Sequence, residues 1–417
     1  MQCEKIFDNL LNSYIYMERY VNNGSPSGWT RLRSTSEETN PFTGKRVFPI
    51  LEFDDNDLDC LIIGESNSLF EKGVNYAHPD SFNSEILRKG KRNIKESFLQ
   101  VSPTSGGRTM FIRNDEFDGF IKLTYDIDRI GRVDRQLGYG HCMSSIEVSN
   151  SIKDAIDHKK FKNTYGVLLE KSAKVTKIPY NGTIYEWGTI LREQISYPYT
   201  NEKRQLIPGF SLFGKDYYSK DTINDELPII QFIKLSQRDP KEYLLSVMMM
   251  TVDAWFGTLL NCAFILELHG QNCYYEIDEH FIIKRIIIKD MDSVDKDLTL
   301  AKKLGLNDQW KSYPFECFYE DVPEHHPWYY KIRPSYMYDF KLGTYLLQPI
   351  MDVVCEKYEL DKDYIRNTLK DYVSDLYIGR IPLGYFPEDG SWFDCDKGER
   401  KPGERRKYYA HPNPLFR

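Results

Sequence analysis

The chain has 417 residues, 41% of them apolar, with 62 acidic against 55 basic side chains and a net charge of −7. That content supports a large buried core in two or three domains, while the acidic balance leaves no whole-chain footprint for nucleic acid. Eight cysteines, none in a CxxC pair, show no zinc-ligand spacing and fit a reducing, cytoplasmic setting.

In chain order, Met1 to Lys5 lacks a basic stretch running into an apolar one, so no secretory signal is expected. Residues 1–22 place Ile6, Leu10, Leu11, Tyr14, Ile15 and Met17 near a 3.6 period and predict an amphipathic helix. Gly, Ser, Thr, Asn and Pro make 23–48 a loop. The acidic run Glu52 to Asp57 leads into apolar Cys60 to Ile63, and 117–128, 163–170 and 183–192 read as strands. Helices are expected over 227–236 and over 239–268, the latter opened by Asp239-Pro240. The apolar stretch Leu244 to Leu266 carries Asp253 and is read as a buried helix, not a membrane span. Two strand-like runs, 273–277 and 281–288, flank Asp278-Glu279-His280 as a hairpin, and helices follow at 296–304, 340–358 and 361–377. The order is mixed, not βαβ, and predicts an α+β fold: a mixed sheet region, then a mostly helical region with a β-hairpin, around one central nucleotide cleft. Regions are expected at 1–100, 101–225 (phosphate-binding and β-rich) and 226–417.

Two segments carry chemistry. In the first, Thr104, Ser105 and Thr109 offer hydroxyls, and Gly106-Gly107 lets backbone N–H groups approach an anion without Cβ interference. Arg108 can fork onto a phosphate, with Lys122 on the next strand and Arg135 (or Arg132) beyond it. Such a turn is equally an ordinary surface turn, and no GK[ST] closes it as a Walker loop. In the second, Glu267, His269, Gln271 and Asn272 precede the hairpin, and Asp290 ends it. A hairpin returns its last residue to its first, so Asn272 and Asp290 are expected to be neighbours. Their oxygens are hard ligands of the kind Mg²⁺ takes, and His269 suits hydrogen bonding to phosphate. A capped helix end beside a surface Asp would read the same way. Arg192-Glu193 is an ion pair or a grip on a substrate carboxylate. The basic run 397–407 is a solvated tail or a wall against an anion. His325-His326 and His141-Cys142 read as incidental.

Taken together, Thr104-Ser105-Gly106-Gly107-Arg108-Thr109, Lys122-Leu123, Leu191-Arg192-Glu193, Glu267-Leu268-His269-Gly270-Gln271-Asn272 and Lys289-Asp290 resemble the ordered motifs of the aerobactin synthetase (IucA/IucC-like) family. These are siderophore synthetases that work without a ribosome or a peptide synthetase. The chain departs from the family at Gly106, where a Ser is usual, at Lys289, where an Arg is usual, and in a shorter region before Thr104. There His78-Pro79 is the candidate for the family's upstream His-Pro segment.

The resemblance implies an ATP-dependent carboxylate–amine ligase that forms an acyl adenylate and condenses it with an amine or hydroxyl. Arg108, Lys122 and His269 would be catalytic. Thr104, Ser105, Thr109, Arg135 and Gln271 would join them around the nucleotide. Glu267, Asn272 and Asp290 would hold Mg²⁺, and Arg192 would meet the acid. It also implies small-molecule partners and a homodimer, with neither nucleic acid nor membrane. A kinase-like phosphotransferase and a non-catalytic nucleotide-binding subunit are the alternative readings.

Overall fold

Two long strands, each with a continuous buried run, set the frame of the first half. β8 (Glu170–Tyr180) and β9 (Thr183–Glu193) pair antiparallel. They turn at Asn181-Gly182, whose φ angles of 48° and 77° suit a two-residue hairpin. Around them gather β1 (Phe48–Asp54), β2 (Asp59–Gly64), β3 (Val74–Ala77), β4 (Ile94–Pro103), β5 (Thr109–Ile112) and β6 (Gly119–Leu123). The eight strands run in the order β2-β8-β9-β6-β5-β4-β1-β3, and every neighbouring pair is antiparallel.

A second sheet is built from β7 (Tyr165–Val167), β10 (Arg204–Pro208), β12 (Cys273–Asp278) and β13 (Ile283–Ile288) in the order β10-β12-β13-β7, with only the β13–β7 pair parallel. The computed structural model describes residues 2–22, 36–71, 73–90, 92–113, 119–125, 136–218, 226–306, 316–317, 333–381, 386, 391–393, 408–410 and 416–417.

Helices cover the sheets. α1 (Leu10–Tyr20) is capped by Asn9, whose side chain accepts from Asn12 N, and it begins nine residues later than the periodicity predicts. α2 (Tyr139–Asp157) has no counterpart among the expected helices: its buried face mixes Cys142, Ile146 and Ile152 with Ser145 and Ser149, which breaks the apolar stripe. α3 (Pro228–Ser236) agrees with expectation. α4 (Pro240–Cys262) starts as expected, capped by Asp239, but stops six residues early, at a left-handed Ala263. By length and composition α4 could cross a membrane, yet 72% of its most apolar window is buried inside the protein. It is the axis of the largest apolar cluster, where Trp255 donates Nε1–H to the Leu266 carbonyl. The expected C-terminal helices appear as Tyr336–Leu347, a wide π-type helix, running into α5 (Gln348–Tyr358), and then α6 (Lys362–Leu376).

The two sheets meet through a smaller cluster. Tyr14 and Ile15 of α1 pack with Phe111 and Phe120 from the large sheet and with Tyr274 and Ile287 from the small one. This α+β frame sets β5–β6 opposite the base of the β12–β13 hairpin. Pairing of β2 with β8 and of β10 with β12 crosses positions 100 and 225, so the three expected regions share sheets.

Candidate active site

The first wall is the turn between β4 and β5. Gly107 takes φ 72°, open to glycine at no steric cost, and its N–H bonds back to the Thr104 carbonyl at 3.1 Å. Thr104 Oγ1 donates to the Thr109 carbonyl at 2.6 Å, closing the loop from inside. The Ser105 N–H and hydroxyl both donate to Glu18 Oε2, at 3.1 and 2.7 Å. Glu18 is fully buried, and its other oxygen accepts from Tyr14 and Tyr274 at 3.2 and 2.8 Å, with Lys289 Nζ 3.5 Å away. Burial pushes the Glu18 carboxyl up, but Lys289 and Ser105 outweigh it and hold it below the usual range. In a periodic reading Glu18 falls on the apolar face, one turn after Tyr14; that misplaced acid is the signal that could have found it.

The second wall is the hairpin base. Because α4 ends at Cys262, Glu267 to Asn272 form a loop after β11 (Phe264–Ile265), not the last turn of a helix. Gly270 is required there: a Cβ would sit 2.8 Å from Phe210 N. The Lys289 N–H donates to the Asn272 carbonyl at 3.1 Å, so Asn272 and Asp290 are neighbours as expected. Asp290 itself adopts φ 73°, a costly conformation for a non-glycine and one often kept at functional sites. A 3₁₀ turn, Met291–Ser293, follows.

The walls face each other. A Cβ on Gly106 would lie 3.4 Å from Gln271 Nε2, ordinary contact, so the Thr104–Thr109 turn abuts the hairpin loop and a Ser would fit at 106. Phe120 lies opposite Arg192 in the β6–β9 ladder, so Lys122, two residues on, shares the face of Arg192. Lys122 Nζ donates to Asp290 Oδ1 at 2.6 Å and also to Asp292 Oδ1. Arg192 Nη2 reaches the same Asp290 oxygen at 2.9 Å, and its Nε donates to Glu170 at 2.9 Å. Arg108 Nη2 lies 3.7 Å from Asp292 Oδ2. Burial would raise the Asp290 carboxyl, yet Lys122, Arg192 and Arg108 hold it far below the carboxylate range. Arginine, lysine and carboxylate here neutralise one another.

Lys122 has a side chain only 3% exposed, because it bridges two carboxylates; Arg108, at 18%, is the more open cation. One expectation changes with this geometry. Arg192 is buried and paired with Glu170 and Asp290, so it supports the site from behind instead of presenting a free fork to an acid. Asp292 escapes the motif reading, although it stands two residues from Asp290. Arg132, Arg135, His325-His326 and the basic run 397–407 lie outside the described residues.

His269 is buried. Its Nδ1 accepts from the Gln271 N–H at 3.2 Å, and its Nε2 lies 3.7 Å from Glu267 Oε1. His78 is buried in a similar arrangement. Its Nδ1 accepts from the Asp80 N–H at 3.1 Å, the ring packs on Tyr125, and Nε2 has no hydrogen-bond partner beside the Gly107 main chain. In both rings Nδ1 is the acceptor, so a neutral imidazole carries its proton on Nε2. Burial lowers each from the ordinary 6.5 to about 4. Between those values the unfolded chain binds more protons than the folded one. Their contribution is therefore complete above pH 6.5 and is lost as pH falls toward 4. Urea unfolding at pH 7 and pH 5 should show a loss of about 2 kcal/mol per histidine, and His269→Asn should remove its share of that slope. Equal slopes for wild type and variant would contradict a buried neutral His269.

The residues expected to hold a metal are Glu267, Asn272 and Asp290. Glu267 Oε1 pairs with Lys341 Nζ at 2.7 Å, and Asn272 Nδ2 donates to the Glu267 carbonyl at 3.1 Å, which leaves the amide oxygen as the free ligand atom. Among the described residues no group of three His, Cys, Asp or Glu side chains could hold a metal unaided. The Asp290 carboxylate and the Asn272 amide oxygen are hard donors of the kind Mg²⁺ takes together with phosphate and water.

The fold has solved counterparts. The petrobactin biosynthesis protein AsbB from Bacillus anthracis superposes with a TM-score of 0.66 at 14% identity, over 87% of this chain and 68% of that one. The chain has the fold of the siderophore synthetases. Aerobactin synthetase IucC from a hypervirulent pathotype of Klebsiella pneumoniae matches with a TM-score of 0.60 at 14% identity, over 88% and 71% of the two chains. ATP-bound aerobactin synthetase IucA from the same source matches at 0.62 and 12%, over 89% and 73%. No protein-family model and no curated protein matches the sequence.

Proposed function

We propose that this chain is an ATP-dependent ligase that activates a small carboxylic acid as its acyl adenylate and joins it to an amine or hydroxyl, in siderophore or related natural-product biosynthesis. The reading rests on one observation above all: a turn of phosphate-binding character abuts a hairpin base where two carboxylates are held by Lys122, Arg108 and Arg192, in the synthetase fold.

The ion pairs give the chain a means of admitting a tetra-anion. Lys122 and Arg108 face Asp290 and Asp292. With a triphosphate present they turn toward phosphate oxygens, and the carboxylates they release face the metal. Asp290 and Asn272, with Glu267 beside them, would hold Mg²⁺, which would supply charge neutralisation at the phosphates. The Nε2–H groups of His269 and His78 are neutral donors, which stabilise developing negative charge without needing a counter-ion. The Thr104–Thr109 turn contributes the Arg108 side chain, because its Ser105 donors are held by Glu18 and its Thr104 hydroxyl and Gly107 N–H close the turn itself. Chemistry then follows from positioning: a carboxylate oxygen of the acid bonds to the α-phosphorus as the bond to pyrophosphate breaks. The nucleophile next attacks the acyl carbon, AMP leaves, and the nucleophile gives up a proton.

Purified protein with Mg²⁺, ATP and a panel of small polycarboxylic acids should release pyrophosphate and AMP only when the right acid is present. Acid-independent ADP and orthophosphate, or γ-phosphate on a small molecule, would contradict the ligase and favour a phosphotransferase. Asp290→Asn should raise the Mg²⁺ needed for half-maximal rate about tenfold or more; an unchanged metal titration would remove Asp290 from the metal site.

A further inference from the structure

Beyond the cleft, on a neighbouring face of α1, lies a cavity of about 680 Å³, within the roughly 300–1,000 Å³ range of small-molecule pockets. Ten described residues line it, two of them arginines and none a carboxylate, in a chain whose acidic residues outnumber its basic ones. Arg19, the residue after Glu18, floors the cavity. It is buried, its Nε and Nη2 donate to the carbonyls of Pro41 and Gly44 at 2.7 and 3.0 Å, and its Nη1 has no partner. A buried guanidinium without a counter-charge is unfavourable unless something anionic answers it.

The second arginine is at the open side. Arg46 lies over the Tyr218 ring, with its Cζ 5.5 Å from the centroid, and Nη2 donates to the Tyr218 hydroxyl at 2.9 Å. Tyr218 stacks on Tyr20 with centroids 4.5 Å apart and planes 27° from parallel, and Arg19 sits 5.0 Å from the Tyr20 ring. Two cations and two stacked rings in one cavity match a ligand that is flat, apolar across its face and negatively charged at one edge. Burial lowers the Arg19 guanidinium against the opposing effect of Tyr20, and Arg46 adds to the lowering, so the Arg19 cation is stabilised when an anion enters.

We propose that this cavity is a binding site for a small aromatic carboxylate, separate from the nucleotide cleft. Arg46 meets the carboxylate and the Tyr20–Tyr218 pair meets the ring, over the fixed positive field of Arg19. The site stands independently of the ligase reading.

Calorimetric titration of the full chain with benzoate tests it. Wild type should bind one equivalent saturably. Arg46→Ala should weaken binding about tenfold or more, with Arg46→Lys intermediate and Tyr218→Leu also weaker. Arg46 and Tyr218 are both exposed, so unchanged melting curves should certify that these variants fold. Cyclohexanecarboxylate should bind more weakly than benzoate, and Arg108→Ala should bind benzoate as wild type does. No saturable heat with wild type, or equal affinity in Arg46→Ala, would overturn the site. Displacement of benzoate by inorganic phosphate at equal concentration would overturn its aromatic character. Loss of benzoate binding in Arg108→Ala would move the ligand to the nucleotide cleft and overturn the separation.

Discussion

Lys122→Ala should abolish acid-dependent pyrophosphate release, by roughly 10²-fold or more, and should also destabilise the protein by about 3 kcal/mol or more. The two losses have one cause. Lys122 is buried between Asp290 and Asp292, and its removal leaves buried Asp292 and half-buried Asp290 with only the arginines to answer them. Breaking a buried pair from one side costs more than the pair contributes, because the surviving charge is stranded. The check is urea denaturation of the nucleotide-free protein, run beside the activity assay. A second substitution supplies the control: Lys122→Ala combined with Asp292→Asn should recover part of the stability and none of the activity. An unchanged unfolding midpoint for Lys122→Ala would show that the bridge is not formed in solution.

The second large effect is expected directly behind the Thr104–Thr109 turn. Glu18→Ala should cost about 3–5 kcal/mol, because Glu18 answers the Ser105 N–H and hydroxyl, two tyrosine hydroxyls and buried Lys289 at once. Lys289 gains most of its support there: burial lowers its ammonium pKa and Glu18 opposes that. Glu18→Gln keeps the shape and loses the charge, so it should fall between wild type and alanine. Because Glu18 fixes the Ser105 turn, the glutamine variant should also show a raised KM for ATP with a smaller change in kcat. A loss under about 1 kcal/mol for Glu18→Ala would mean that water or another group can take its place.

The sequence exposes most clearly what is local. The Gly106-Gly107 turn, the hairpin from Cys273 to Ile288 and the meeting of Asn272 with Asp290 follow from turn chemistry and strand alternation, which act over a few residues. The helical overrun past Cys262 has a physical reason. Leu266 and Leu268 continue the apolar content of α4, but Ala263 turns left-handed and Trp255 ties down the Leu266 carbonyl, so tertiary packing ends the helix where periodicity would carry it on. Strand β8 hides for the opposite reason. Lys174 interrupts its apolar pattern, yet it is buried against Asp55 and the carbonyls of Phe70 and Val74, partners about a hundred positions away.

The candidate site follows the same division. Residues that announce themselves by type within a motif, such as Arg108, Lys122 and His269, are legible as candidates. Their states are not. Whether Lys122 is free or bridged, and whether Arg192 grips a ligand or Glu170, depends on contacts spanning 22 to 170 positions. Glu18 and Asp292 show their roles only once α1 and the hairpin are packed onto the large sheet.

The central claim is that the turn at 104–109 and the segment 267–292 are two walls of one nucleotide site. Hydrogen–deuterium exchange with and without Mg²⁺ and ATP tests it directly. The account predicts that both segments gain protection together, at the same nucleotide concentration. Protection confined to one of them, or found only elsewhere in the chain, would contradict it.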